Sequence, residues 1–166
     1  MTNTYNDSDI FDKSNYDITD LDSEIRTDKL CAALLKNFHQ HLLNELKLEP
    51  LDAGALAAGA DYFLREFLIG GRQENIFSCT PERIKQFGGH WYIIRNLEPN
   101  MAELTTMLSG AAGFYQYCAN MQLTDPSNAE AITLTCSDLD YFRQRIEDFQ
   151  AITGDGFAAW EQACPL

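Results

Sequence analysis

The side chains able to do chemistry in this chain are few and widely spaced. Its three histidines are His39, His41 and His90, and its five cysteines are Cys31, Cys79, Cys118, Cys136 and Cys164. On one helix, at about 100° per residue, His39 and His41 stand about 160° apart, too far round to grip one ion. His41 and Glu45 are an i, i+4 pair, a spacing that serves a hydrogen-bonded helix surface far more often than ligation. The repeated Glu-x-x-His of a four-helix di-metal carboxylate site does not occur in the sequence. No metal and no other cofactor is expected.

Cys79 precedes Thr80-Pro81-Glu82, a strong helix start whose dipole can lower a thiol pKa. His90 and Tyr92 lie a short way downstream. One functional expectation is therefore an enzymatic or small-ligand pocket around His90, Cys79 and Tyr92, with the three side chains within a few hydrogen-bond lengths. Cys31, Cys118 and Cys136 fall in apolar helical patterns, where cysteine acts as a small hydrophobe. An odd cysteine count without Cys-x-x-Cys spacing argues against a disulfide framework and a structural zinc site, and points to the cytoplasm. There is no Gly-x-Ser-x-Gly elbow, phosphate-cradling glycine loop or dinucleotide fingerprint.

The basic candidates are Arg65, Arg72, Arg83, Lys85 and Arg95. Lys plus Arg is 12 against 25 Asp plus Glu, a net charge of −13 over 166 residues. Residues 71–100 alone are net positive, at +1, whereas residues 101–166 carry −7. This balance opposes nucleic-acid coating and anionic membrane surfaces. No run of eighteen apolar residues suits a membrane span, and no secretory leader pattern opens the chain.

The elements that would position these residues read as helices. Residues 1–25 alternate Asp with Asn, Ser and Thr, which predicts an acidic, weakly ordered tail ahead of a helical domain over 26–166. The absence of glycine before Gly54 counts against a calcium loop in that tail. Leu30, Leu34, Phe38, Leu42 and Leu46 predict a first helix over about 28–48, stopped by Pro50. A second runs over about 52–69, ending at Gly70-Gly71. A third starts at Pro81, and its Gly88-Gly89 predicts a close crossing or a kink.

The fourth opens with a capping box at Asn100–Glu103. It contains no charged residue from Leu104 to Thr124, so both its sides should be covered and it should lie centrally. A fifth is predicted from a box at Ser127–Glu130 through about Gln150, and a short sixth over 157–163. The expected fold is thus all-α: a single-domain bundle of five main helices and a short C-terminal one.

From about Leu56 to Pro126 the pattern Tyr62-Phe63-Leu64-Arg65-Glu66-Phe67-Leu68, then Thr80 to Phe87, then Leu104 to Leu123, resembles the helical core-binding (SAM-like) domain of tyrosine recombinases and phage integrases. The resemblance implies three successive helices that clamp duplex DNA, and hence a DNA-binding or recombination-accessory role carried by the five basic residues above. The departures are that no catalytic domain follows Pro126, and that the helix over 104–123 lacks the Arg or Lys the family presents to DNA.

The preferred expectation is a non-enzymatic interaction module that contacts another protein or its own copy as a homodimer. It rests on the small, uncharged second face of the fourth helix, Thr106, Ser109, Gly110, Gly113 and Gln116, where glycines permit close approach. Tyr92 is the aromatic anchor expected to face the partner.

Overall fold

The computed structural model describes residues 5–166, whose regular elements are all helical, with no strand among them. The predicted acidic tail is corrected over its described part. Residues 7–10 form a short helix (α1, Asp7–Ile10) capped by Asn6, followed by a 3₁₀ turn (Lys13–Tyr16) capped by Asp12. Asp12 and Asp20 serve as caps, and Tyr16 supplies the apolar anchor that the polar composition concealed. It is fully buried, donates to Ile10 O at 2.6 Å and packs edge-on against Phe77 at 4.8 Å. Asn75 Nδ2 ties this segment to the body through Asp17 Oδ1 and Lys13 O.

The first long helix, α2 (Leu21–Asn44), starts seven residues before the expected position, where Asp20 accepts from Ser23 N at 2.8 Å. Its polar first turns are retained because Arg26 and Thr27 both bond Asn15 O. Pro50 does not stop α2 but occupies the first position of α3 (Pro50–Asp61), where its missing N–H costs nothing. α3 continues as a wide-turn π-helical stretch over Tyr62–Gly71.

The third predicted helix is built from α4 (Pro81–Gln86), a π turn (Phe87–Trp91) and α5 (Tyr92–Arg95). The π turn lies at the expected Gly88-Gly89 irregularity. A Cβ on Gly88 would come within 2.7 Å of the Phe142 ring, and one on Gly89 within 3.2 Å of Tyr141. The two wide-turn stretches stack an aromatic cluster, with Phe87 against Phe63 at 5.0 Å and Trp91 against Phe67 at 5.4 Å. Such stacking adds to the large apolar area the rings bury.

Next comes α6 (Met101–Asn120), whose cap Asn100 accepts from Glu103 N at 2.8 Å. Leu104, Leu108, Ala111, Phe114, Tyr115 and Cys118 are fully buried on one face, but Ser109 and Gln116 of the other are exposed, so the cover expected on both sides from the lack of charge is only partial. The predicted fifth helix is two helices, α7 (Pro126–Cys136) capped by Asp125 and α8 (Leu139–Gln150). The break has a local cause. Thr133, Thr135 and Ser137 hydroxyls turn back onto the carbonyls of Ala129, Ala131 and Leu134. Asp138 then leaves the helical region with ψ 65°. The short α9 (Phe157–Gln162) folds back through buried Trp160, and none of these helices is long and apolar enough to cross a membrane.

Candidate functional site

The expected pocket of His90, Cys79 and Tyr92 does not form, because each side chain is spent in a different neighbourhood. His90, only 1% exposed, accepts no solvent: its Nδ1 donates to Cys164 O at 2.7 Å, and its Nε2 stands 3.5 Å from Glu161. The Cys79 thiol is pushed up to about 12 by burial, which outweighs any help from the helix start, and its carbonyl is held by Asn128 Nδ2. Tyr92, expected to face a partner, is buried instead. Its hydroxyl donates to Glu103 Oε1 at 2.9 Å and accepts from Asn100 N at 3.2 Å. Glu103 therefore buttresses Tyr92, where the sequence predicted that it would reach back to the N-cap.

The wall that holds His90 is a clasp closed by the C-terminal helix. Arg145 is buried, donates from Nε to Gly89 O at 2.8 Å and lies over the Trp160 ring at 4.1 Å. Trp160 Nε1 donates to Arg145 O at 3.0 Å, and Gln86 Nε2 donates to Pro165 O at 3.2 Å. Two polar atoms in this wall, His90 Nε2 and Arg145 Nη2, are buried without a hydrogen-bond partner. The cation–π contact and the bond to Gly89 offset part of the cost of burying Arg145.

The five basic candidates are likewise engaged within the chain. Arg65 makes a forked pair with Asp28 at 2.9 and 3.0 Å and reaches Asp61 at 3.1 Å. Those carboxylates hold its guanidinium above its usual range. Arg83 forks onto Glu74 at 2.9 and 2.6 Å, and Arg72 Nε lies 3.9 Å from the same carboxylate. Lys85 sits over Tyr141 and Arg95 over Trp91. Phosphate contact would have to compete with each of these pairings.

Of the face expected to meet a partner, Gly110 and Gly113 are already filled from within. A methyl on Gly110 would fall on Leu56 O and lie 2.8 Å from Ala60 N, both backbone atoms of α3. Reciprocally, a Cβ on Gly59 would stand 2.8 Å from Met107 Cα. α3 and α6 thus cross backbone to backbone at Gly59 and Gly110. A Cβ on Gly113 would meet Phe38 of α2 at 3.4 Å, so α2 and not a partner lies against that position. Gln116 is exposed and bonds Thr133 Oγ1, Ser109 is exposed, and Thr106 is half-buried with its hydroxyl on Ala102 O. His41 packs on Tyr117 at 5.0 Å, and among the described residues no three His, Cys, Asp or Glu side chains are grouped to hold a metal.

The surface that remains is one the sequence reading passed over. α3 is Pro-Leu-Asp-Ala-Gly-Ala-Leu-Ala-Ala-Gly-Ala-Asp, apolar between Asp52 and Asp61, yet its outer face is open. Leu51 is 89% exposed, and Ala55 and Ala58 beside it are exposed too. A groove of about 420 Å³ runs along one flank, lined by Leu35 and His39 of α2 with Gly54 and Ala57. Another of about 460 Å³ runs along the opposite flank, lined by Gly59, Tyr62, Glu103, Thr106 and Met107. Between its two aspartates this helix is apolar, and apolar helix faces are ordinarily buried. The signal was available: between Asp52 and Asp61 the sequence holds only Ala, Gly and Leu.

No protein-family model, curated protein or solved structure matches the chain.

Proposed function

We propose that this chain is a non-enzymatic interaction module, one helical bundle that docks another protein on the outer face of α3. The observation carrying this reading is the open apolar ridge Leu51, Ala55 and Ala58 between two grooves, on a helix that holds only Ala, Gly and Leu between Asp52 and Asp61. Supporting it, the nucleophile and base candidates Cys79 and His90 are buried in separate walls with their polar atoms turned inward. Ridges of small residues suit helix–helix docking, because they let a second backbone approach closely and leave little side-chain entropy to lose. The docking face is moved from the fourth predicted helix to the second.

Site-directed photo-crosslinking in cells tests the reading. A benzoylphenylalanine at position 58 is expected to give a discrete protein adduct that Leu51→Asp abolishes, while the same probe at the exposed position 144 on α8 gives none. Equal labelling from both positions, or none from either, would overturn it.

A further inference from the structure

We propose that residues 157–166 form a strap latched by a proton on His90 Nε2, closed over the π turn in acid and loosened as that proton leaves. The proposal is independent of the docking face on α3. Two features set these residues apart from the body of the bundle. They are tethered by an exposed turn over 153–155, in which Gly154 takes a φ of +60°. Of their side chains only Trp160 and Cys164 are buried. A segment with so little buried opens at a free energy well below that of the whole fold. One polar contact therefore weighs heavily in whether it stays docked.

The latch is read from the imidazole. Cys164 O is a carbonyl and can only accept, so the 2.7 Å contact places a hydrogen on His90 Nδ1. In a neutral ring Nε2 then carries a lone pair. That atom is buried without a hydrogen-bond partner, 3.5 Å from Glu161 Oε1 of α9. A lone pair facing a carboxylate is one acceptor set against another, and it leaves a buried polar atom unmet. A second proton turns the same two atoms into a charge-assisted donor and acceptor.

The other groups of the wall do not reverse this. From α8, Arg145 opposes a second positive charge, but its guanidinium is turned onto Gly89 O and the Trp160 ring. Lys85 of α4 is exposed and extends over Tyr141. Burial raises the Tyr141 hydroxyl above its usual range and keeps it neutral, and the Cys164 thiol donates to Lys85 O. Glu161 alone is aimed at Nε2, so the direct contact decides the sign. The proton is held more tightly with the strap closed than open. The stability it lends the closed form is therefore complete in acid and lost as pH rises. Opening bares Gly89 and His90 on a π turn, a feature that recurs at functional sites.

Hydrogen exchange of the full chain, read by mass spectrometry over residues 157–164 and corrected for the intrinsic rate at each pH, tests the proposal. The window is about pH 5 to 8, where histidine ordinarily changes charge. Protection of the strap should fall about tenfold across it, the worth of one charge-assisted contact at a half-exposed carboxylate, while protection of α6 holds. Glu161→Gln supplies an amide that can donate to the Nε2 lone pair, and should abolish or reverse the fall. His90→Asn keeps a donor for Cys164 O without the titrating nitrogen, and should abolish it as well. Because His90 is buried and Glu161 is not, the Glu161→Gln result decides if His90→Asn does not fold. Protection that is flat or rises with pH in the unaltered chain overturns the latch. So does a fall that survives Glu161→Gln, or one that α6 shares in equal measure.

Discussion

Gly110→Ala and Gly54→Ala are the same chemical change in two helices that touch, and the structure assigns them opposite signs. In either helix an alanine gains about 1 kcal/mol of intrinsic propensity over glycine. At Gly54 a Cβ meets nothing within 4 Å, so the gain is kept. At Gly110 the added methyl would fall on Leu56 O and lie 2.8 Å from Ala60 N. Neither atom can rotate away, because both belong to the α3 backbone. α3 must then slide off α6 by roughly an ångström, opening the crossing at Gly59 as well. Overpacking of this kind costs about 1–3 kcal/mol, and rigid backbone on the receiving side places this case at the upper end. Subtracting the propensity gain leaves a net loss of about 2 kcal/mol. For a chain of this length that is a fall in Tm of roughly 4–8 °C, against a rise of about 2–4 °C for Gly54→Ala. Differential scanning calorimetry at neutral pH reads both. A Gly110→Ala protein as stable as Gly54→Ala would refute the backbone-to-backbone crossing and, with it, the account of why α6 carries no charge.

Two further outcomes follow from local features. Asn100→Ala removes the side chain that accepts from Glu103 N and should cost about 1 kcal/mol, seen as a fall in Tm of about 2–4 °C. All five cysteines are buried, so a thiol reagent at pH 8 should label the folded chain negligibly and every thiol after denaturation. Burial pushes Cys79 and Cys136 up to about 12, above the ordinary thiol value of 9.0. The folded state therefore holds protons the unfolded state releases. Stability contributed by these groups is complete below pH 9 and declines as pH rises from there towards 12. Urea midpoints measured at pH 8 and pH 10 should fall with pH; a midpoint that rises over that interval is the contrary result.

How far the sequence carries the fold can be judged from particular elements. Two helix starts, Thr80-Pro81 and Asn100, stand where the spacing places them, whereas Asp125 and not Ser127 caps α7, and Pro50 opens a helix where a stop was expected. The cover of α6 followed only in part from its missing charge, since Ser109 and Gln116 stay exposed. The two π stretches carried no comparable signal, because an apolar stripe tolerates a wider turn without changing its composition, and only Gly88-Gly89 marked one of them. The division between α7 and α8 depends on hydroxyls competing for carbonyls, which periodicity does not register. The N-terminal segment was misjudged for a related reason. Its aspartates were weighed as charge, whereas Asp12 and Asp20 act as hydrogen-bond acceptors at helix starts. The pocket of Cys79, His90 and Tyr92 failed because proximity in sequence was taken for proximity in space across a π turn that sends His90 to the C-terminal clasp.

The composition of α3 explains why its two faces are coupled. Small residues let Gly59 meet Gly110 on the inner side, and the same absence of bulk leaves Ala55 and Ala58 as a shallow ridge outside. A helix that crosses its neighbour this closely cannot carry large residues inward, so it buries little area per residue and contributes less to the core than its length suggests. Covering its outer face supplies burial that the inner face forgoes. The docking proposed for this face would also account for Leu51, the one large side chain at the exposed end of α3, not being a lysine or glutamate. On an isolated module a charged residue there would be the safer choice against aggregation, and the chain uses charge freely elsewhere. An exposed leucine at that end of the ridge fits the docking face proposed above.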